Sequence, residues 1–254
     1  MIYQDNYEFA ANLDAEDELQ NFRNEFLIPQ HDGRDAIYLC GNSLGLQPVS
    51  VQKYLSTQLN AWKDLAVEGW FQGDDPWLQF HHQLKQLLAD LTGAKIEEIA
   101  VMNSLTVNLH LLFVSFYQPT TKRYKILMEG GAFPSDQYAV ESQVLYHGFE
   151  PEKAVIELFP REGELTLRTE DIISAIKQNA DELALVLFGG VNYYTGQLFD
   201  MKAITEAAHK AGAYVGFDLA HAVGNVPLQL HNWGTDFACW CSYKYMNSGP
   251  GGIS

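Results

Sequence analysis

Leu183-Ala-Leu-Val-Leu-Phe188, Met201-Lys-Ala-Ile-Thr-Glu-Ala-Ala-His-Lys-Ala211 and Ala213-Tyr-Val-Gly-Phe217 follow one another in the chain and decide its fold. The two outer runs have strand length and no polar alternation, so both faces of each strand need covering. The run between them carries apolar residues three to four apart (Met201, Ile204, Ala208), which is one helix face. A strand, a crossover helix and a second strand make a parallel pair. The sequence therefore predicts a parallel sheet.

Working outward, the alternation continues. Ile99-Ala-Val-Met102 and residues 124–128 and 154–158 read as strands, with helices over 105–116, 134–146 and 169–179. Residues 236–241 predict one more strand. The expected fold is α/β, a mostly parallel sheet with helices on both faces. Nearer the start, a helical pattern covers residues 17–26, and Ala36-Ile-Tyr-Leu-Cys40 reads as a strand entering the turn Gly41-Asn-Ser-Leu-Gly45. Helices are expected from Pro48 through Trp62 and over residues 78–91, separated by a Gly- and Trp-rich loop.

The 254 residues carry 16 Lys plus Arg against 32 Asp plus Glu, a formal net charge of −16. Such a surface repels nucleic-acid backbones and anionic membranes, so neither is expected as a partner. With 47% hydrophobic residues, the chain can build a core. The first twenty residues hold six acids and no Lys or Arg, and no apolar run approaches membrane-spanning length. Cys40, Cys239 and Cys241 form no CxxC pair. The chain reads as cytoplasmic, with reduced thiols and no metal site.

Ligands of α/β sheets bind beyond the carboxyl ends of the strands. No G-x-G-x-x-G or Walker loop is present, which disfavours nicotinamide enzymes and P-loop NTPases. Asp218 ends an apolar strand, with His221 three residues on. Alone, Asp218 reads equally as a turn cap. Lys244 is the only Lys or Arg after Lys210, set between Tyr243 and Tyr245 just beyond a strand. It reads either as a snorkelling side chain or as an amine desolvated for Schiff-base chemistry. Together, Asp218 and Lys244 suggest a pyridoxal-phosphate site, with the lysine on the aldehyde carbon and the aspartate on the ring nitrogen. Two further strand ends could complete it. Met102-Asn-Ser-Leu-Thr106 opens a helix that can hold a phosphate, and Phe133 could stack on the ring or simply pack in the core.

Ser242-Tyr-Lys244 before a Gly-Pro-Gly turn, with Asp218-Leu-Ala-His221 upstream, resembles the fold-type I pyridoxal-phosphate enzymes. Tyr38-Leu-Cys-Gly-Asn-Ser-Leu-Gly45, Met102-Asn-Ser-Leu-Thr-Val-Asn-Leu-His110, Phe133-Pro-Ser-Asp136 and Tyr194-Thr-Gly-Gln197 narrow the resemblance to the kynureninase family, from about Asn12 onward. The resemblance implies hydrolytic Cβ–Cγ cleavage of L-kynurenine or its 3-hydroxy analogue to anthranilate (or 3-hydroxyanthranilate) and L-alanine, within tryptophan degradation or NAD biosynthesis. It also implies a homodimer. Lys244 and Tyr243 would carry proton transfers, and Asp218 would bind the ring nitrogen with His221 beside it. Leu105, Thr106 and Tyr243 would hold the phosphate, while Phe133 stacks near Pro134, Ser135 and Asp136. Asn42, Ser43 and Trp70 would face the substrate.

Two departures matter. Gly189 and Trp70 stand where animal members carry serine and histidine, and Trp70 implies a preference for unsubstituted kynurenine. The implied organisation is an N-terminal arm over residues 1–48 that packs with a small domain, and a cofactor-binding large domain over residues 49–254. That domain is incomplete at its C-terminal end, and the C-terminal small domain lies outside this chain. Competing readings are a cysteine desulfurase, a class V aminotransferase, a protein that holds the cofactor without turnover, and the incomplete product of a damaged gene. Desulfurases usually carry histidine where Tyr243 precedes the lysine.

Overall fold

A computed structural model describes residues 2–253. Helix α1 (Tyr7–Glu16) starts at Asn6, whose side chain accepts the Phe9 N–H, and it buries no residue. The helix expected over residues 17–26 is not there. Asp17 is extended as the C-cap of α1 and its carboxylate takes the Leu19 N–H, so only a 3₁₀ turn follows (Gln20–Glu25). Strands β1 (Phe26–Leu27), β2 (Gln30–His31), β3 (Arg34–Asp35) and β4 (Gln47–Pro48) make two short antiparallel ribbons, β1 with β4 and β2 with β3. The β2–β3 turn has Asp32 and Gly33 both at positive φ.

Residues 36–40 do not form the expected strand. Among the described residues no strand pairs with them, although Ala36 N–H donates to Pro29 O, and Ile37 and Leu39 stay 90% and 84% exposed. Helices α2 (Val51–Leu65) and α3 (Phe80–Thr92) follow as the apolar spacing predicts.

The remaining elements alternate: α4 (Leu105–Phe116), β5 (Lys125–Glu129), α5 (Pro134–Tyr146), α6 (Pro151–Ala154), β6 (Val155–Leu158), α7 (Thr169–Gln178), β7 (Leu183–Gly189), α8 (Met201–Lys210), β8 (Tyr214–Asp218), α9 (Leu230–Trp233) and β9 (Phe237–Cys239). Strands β5 to β9 form one parallel sheet in the order β6-β5-β7-β8-β9.

Side chains along these strands alternate between two cores, as the two-residue period requires. Leu127, Val186, Phe188, Val215 and Phe217 pack with Ile172 and Ile176 of α7 and Ile204 and Ala208 of α8. Ile126, Met128, Leu185, Leu187 and Phe237 pack with Leu109 and Phe113 of α4 and Val140 and Val144 of α5. Gly216 is required on the second face. A Cβ there would lie 2.1 Å from the Phe237 ring on the neighbouring strand.

Residues 99–102 correct a second expectation. Ile99 is extended, yet no strand pairs with the segment among the described residues. A groove of about 700 Å³ separates it from the free edge of β9. Asn108 Oδ1, Thr235 Oγ1 and Trp240 Nε1 line this groove and are buried without a partner among the described residues.

The sheet order reverses direction between β5 and β7. A crevice opens there at the carboxyl ends of the strands.

Candidate active site

Five chain segments end at that crevice: the start of α4, the β5–α5 turn, the end of β7, the residues after β8 and the loop after β9. They enclose a cavity of about 180 Å³. Leu105, Thr106, Phe133, Ser135, Asp136, Asp218, His221, Tyr243 and Lys244 line it, nine of the ten cofactor residues the sequence points to. Pro134, the tenth, begins α5 between Phe133 and Ser135, where its fixed φ suits the first helical position.

Lys244 is 8% exposed, and its Nζ lies 2.8 Å from His221 Nε2. Burial beside the Lys244 charge pushes His221 down to about 4, so the ring is neutral and Nε2 accepts from the amine. Nζ also sits 5.7 Å from the centre of the Phe133 ring and 6.0 Å from that of Tyr243. Burial pushes the Tyr243 phenol up to about 12, which keeps it a donor.

The lysine loop is held from outside the sheet. Gly45 N–H donates to Tyr243 O, Asn247 Nδ2 donates to Leu46 O, and the Tyr38 hydroxyl closes the supporting turn on Leu44 O. A Cβ on Gly45 would lie within 2.3 Å of Lys244 O. The glycine-bracketed turn therefore works by close backbone approach.

Asp218 accepts the Ala220 N–H at 2.7 Å and pairs with Asp136. Both carboxyls are buried, which raises both. Burial and the facing Asp218 push Asp136 up to about 9, so Asp136 holds a proton at neutral pH beside Asp218, which lines the cavity. At the start of α4, Ser104 makes no side-chain cap, so the first-turn N–H groups around Leu105 and Thr106 remain open to the cavity.

This constellation fits pyridoxal phosphate: an anion for the ring nitrogen, an aromatic face, an uncapped helix start for the phosphate and a buried primary amine. Among the described residues no His, Cys, Asp and Glu cluster could hold a metal ion.

Asn42, Ser43 and Trp70 do not reach the cavity. Asn42 and Ser43 are exposed on the turn that supports the lysine loop. Trp70 is 48% exposed and packs edge-to-face on Trp77, which is itself tied to Gln58. The Gly189 N–H is engaged by Glu129, so no free donor remains there for a phosphate.

Sequence reasoning missed Glu129 and Tyr193, both on the cavity wall. Glu129 carried the same signal as Asp218, an acid closing an apolar strand. Tyr193 carried none, because it lies in an irregular turn.

His221 makes a pH prediction. An unfolded histidine protonates near 6.5 and the folded His221 near 4, so between these values the unfolded chain binds the extra proton. Stability contributed by this site is present above pH 6.5 and is lost as the pH falls toward 4. Urea midpoints measured from pH 7 to pH 4.5 should fall less steeply for His221→Asn than for the parent. Equal slopes would refute a neutral His221.

Comparison with known proteins extends the picture. The family described as aminotransferase class-V matches residues 37–254. The kynureninase of Flavobacterium psychrophilum is 61% identical over 254 residues, covering 100% of this chain and 60% of that protein. The kynureninase of Mus musculus is 52% identical over 257 residues, covering 96% of this chain and 55% of the relative. The chain thus spans 55–60% of the length of these curated relatives. Among solved structures, a lysine-to-alanine variant of C-DES with glycine covalently linked to its pyridoxal-phosphate cofactor superposes with a TM-score of 0.68 at 15% identity, over 84% of this chain and 54% of that one. At that identity the likeness concerns the fold.

Proposed function

The chain belongs to the aminotransferase class-V family, and on that premise we propose that it binds pyridoxal 5′-phosphate and hydrolyses L-kynurenine to anthranilate and L-alanine. The observation that carries the reading is the buried Lys244–His221 contact beside the Asp136–Asp218 pair. Relatives 51–61% identical over nearly the whole chain, each named kynureninase, support the choice of substrate. No helix among the described residues is long and apolar enough to cross a membrane. The reading includes a cytoplasmic homodimer, with residues 1–48 as an arm and a cofactor-binding unit from residue 49.

Bound pyridoxal phosphate supplies an electron sink conjugated to the α-carbon of an amino acid. The residues supply the rest. Asp218 would pair with the ring nitrogen and keep it protonated, while Asp136, holding its own proton, would keep Asp218 in place. Phe133 would stack on the ring, and the N–H groups and Thr106 hydroxyl at the start of α4 would hold the phosphate. Lys244 takes the proton from the substrate α-carbon, and neutral His221 orients the amine through Nε2. Tyr243, a donor across the working pH range, lines the same cavity and would deliver a proton to the substrate. Water adds at the γ-carbonyl, and the Cβ–Cγ bond then breaks so that the carbonyl carbon leaves as anthranilate and the β-carbon, protonated, as alanine.

Anthranilate fluorescence after mixing the protein with pyridoxal phosphate and kynurenine should rise catalytically. A visible cofactor band inert to every amino acid would instead indicate a holder without turnover, and sulfur release from cysteine a desulfurase. The expected preference for unsubstituted kynurenine finds no contact in this cavity, which Trp70 does not line, and kcat/KM for both substrates before and after Trp70→His tests it. A strong native preference for the hydroxylated substrate would sink it.

A further inference from the structure

Glu129 is the third buried carboxyl at this cavity and has no part in the chemistry above. It ends β5 at the point where the sheet order reverses, and it is 5% exposed. Burial raises its pKa, and two donors pull it back: Gly189 N–H to Oε1 at 2.9 Å and Asn192 Nδ2 to Oε2 at 2.7 Å. Gly189 is what allows this approach, since a Cβ there would lie 2.7 Å from Oε1.

Asn192 passes the constraint on. Its Oδ1 accepts from Tyr194 N–H at 2.9 Å, Thr195 N–H at 2.8 Å and the Thr195 hydroxyl at 3.0 Å. Its own N–H donates to Gln197 O, which closes the turn. Tyr193 rides on this turn. Its ring meets Phe133 edge-to-face at 5.3 Å and lies 6.4 Å from His221. Behind Glu129 and Tyr193 lies a second cavity of about 310 Å³, lined also by Leu165, Leu167 and Phe199. Glu129 and Tyr193 are therefore the partition between the two spaces.

We infer that Glu129 is a positioning residue: by clamping Gly189 and Asn192 it fixes Tyr193 as the aromatic wall that, with Phe133, sets the width of the cofactor and substrate slot. The link to cofactor and substrate rests on the proposed function; the clamp itself does not.

The donor and acceptor pattern dictates the test. In Glu129→Gln, Oε1 can still accept from Gly189, but the new amide meets the Asn192 amide donor to donor. Asn192 cannot turn over without losing the Tyr194 and Thr195 bonds. The exchange Glu129→Gln with Asn192→Asp restores every pairing at the same total charge. Amide hydrogen exchange at Tyr194 and Thr195 should speed up about tenfold in Glu129→Gln, and the dissociation constant for pyridoxal phosphate should rise about tenfold. Both should return to within about threefold of the parent in the double variant. Gly189→Ala, which displaces the same carboxylate, should show the same two losses. Unchanged exchange in Glu129→Gln, or a double variant that recovers thermal stability without recovering exchange and affinity, would overturn the inference. A parent protein that binds no pyridoxal phosphate would count against the proposed function, and the exchange measurements would still decide the role of Glu129.

Discussion

Lys244→Ala should leave a folded protein that turns over no kynurenine, with kcat reduced by about 10,000-fold or more. The side chain makes one hydrogen bond in the structure, to His221. What it removes is the only primary amine lining the cavity. In the proposed function that group serves both covalent attachment of the cofactor and proton transfer at the substrate, and a positioned acid–base group alone contributes roughly 100- to 10,000-fold. Borohydride reduction separates the two roles from misfolding. It should fix one cofactor per chain in the parent and none in the variant, while far-ultraviolet circular dichroism stays the same. Surviving turnover would refute the central assignment.

Arg123→Ala should cause the largest loss of stability away from the site, about 3 kcal/mol. The Arg123 guanidinium donates to Ala180 O at 3.0 Å, Leu183 O at 2.7 Å and Ala211 O at 2.8 Å. Two of these carbonyls follow the C-terminal ends of α7 and α8, where helix dipoles favour a cation, and the third starts the central strand β7. One side chain thus joins two helix ends to the middle of the sheet, and alanine would leave three carbonyls seeking water in a partly closed site. For a chain of this size the loss corresponds to a fall in Tm of about 6–12 °C. Arg123→Lys should recover only part of it, because an ammonium cannot reach three carbonyls in the planar fork geometry. A shift under about 2 °C in differential scanning calorimetry would show that the three bonds are readily replaced by water.

Much of this architecture was legible before any coordinates. Helices α4 and α5 begin and end where the sequence predicted, because Pro134 and the apolar spacing of Leu105, Leu109 and Phe113 are local signals. The strands of the parallel sheet were equally clear, since a buried parallel strand is an unbroken apolar run. The two missing strands share one cause. Residues 36–40 and 99–102 have strand composition, but a strand exists only with a neighbour, and among the described residues no strand pairs with either. Composition reports propensity for the extended state and carries no information about a partner.

The site divides the same way. Asp218, Lys244, Phe133 and the start of α4 were legible because each breaks a pattern at a strand or helix end. Asn42 and Ser43 belong to a recognisable motif, yet its task proved to be Gly45 lying against the Lys244 backbone.

The sequence by itself determined the fold class, the strand-end location of the chemistry and the identity of its charged and aromatic groups, because these follow from periodicity and its interruptions. Only the tertiary structure decided which of those groups share a proton, which amine meets which imidazole, and that Glu129 reaches Asn192 to hold Tyr193 in the wall. Such relations depend on distances of about 3 Å between residues far apart in the chain, and hydrogen bonding falls off too steeply with distance and angle for residue type alone to specify them.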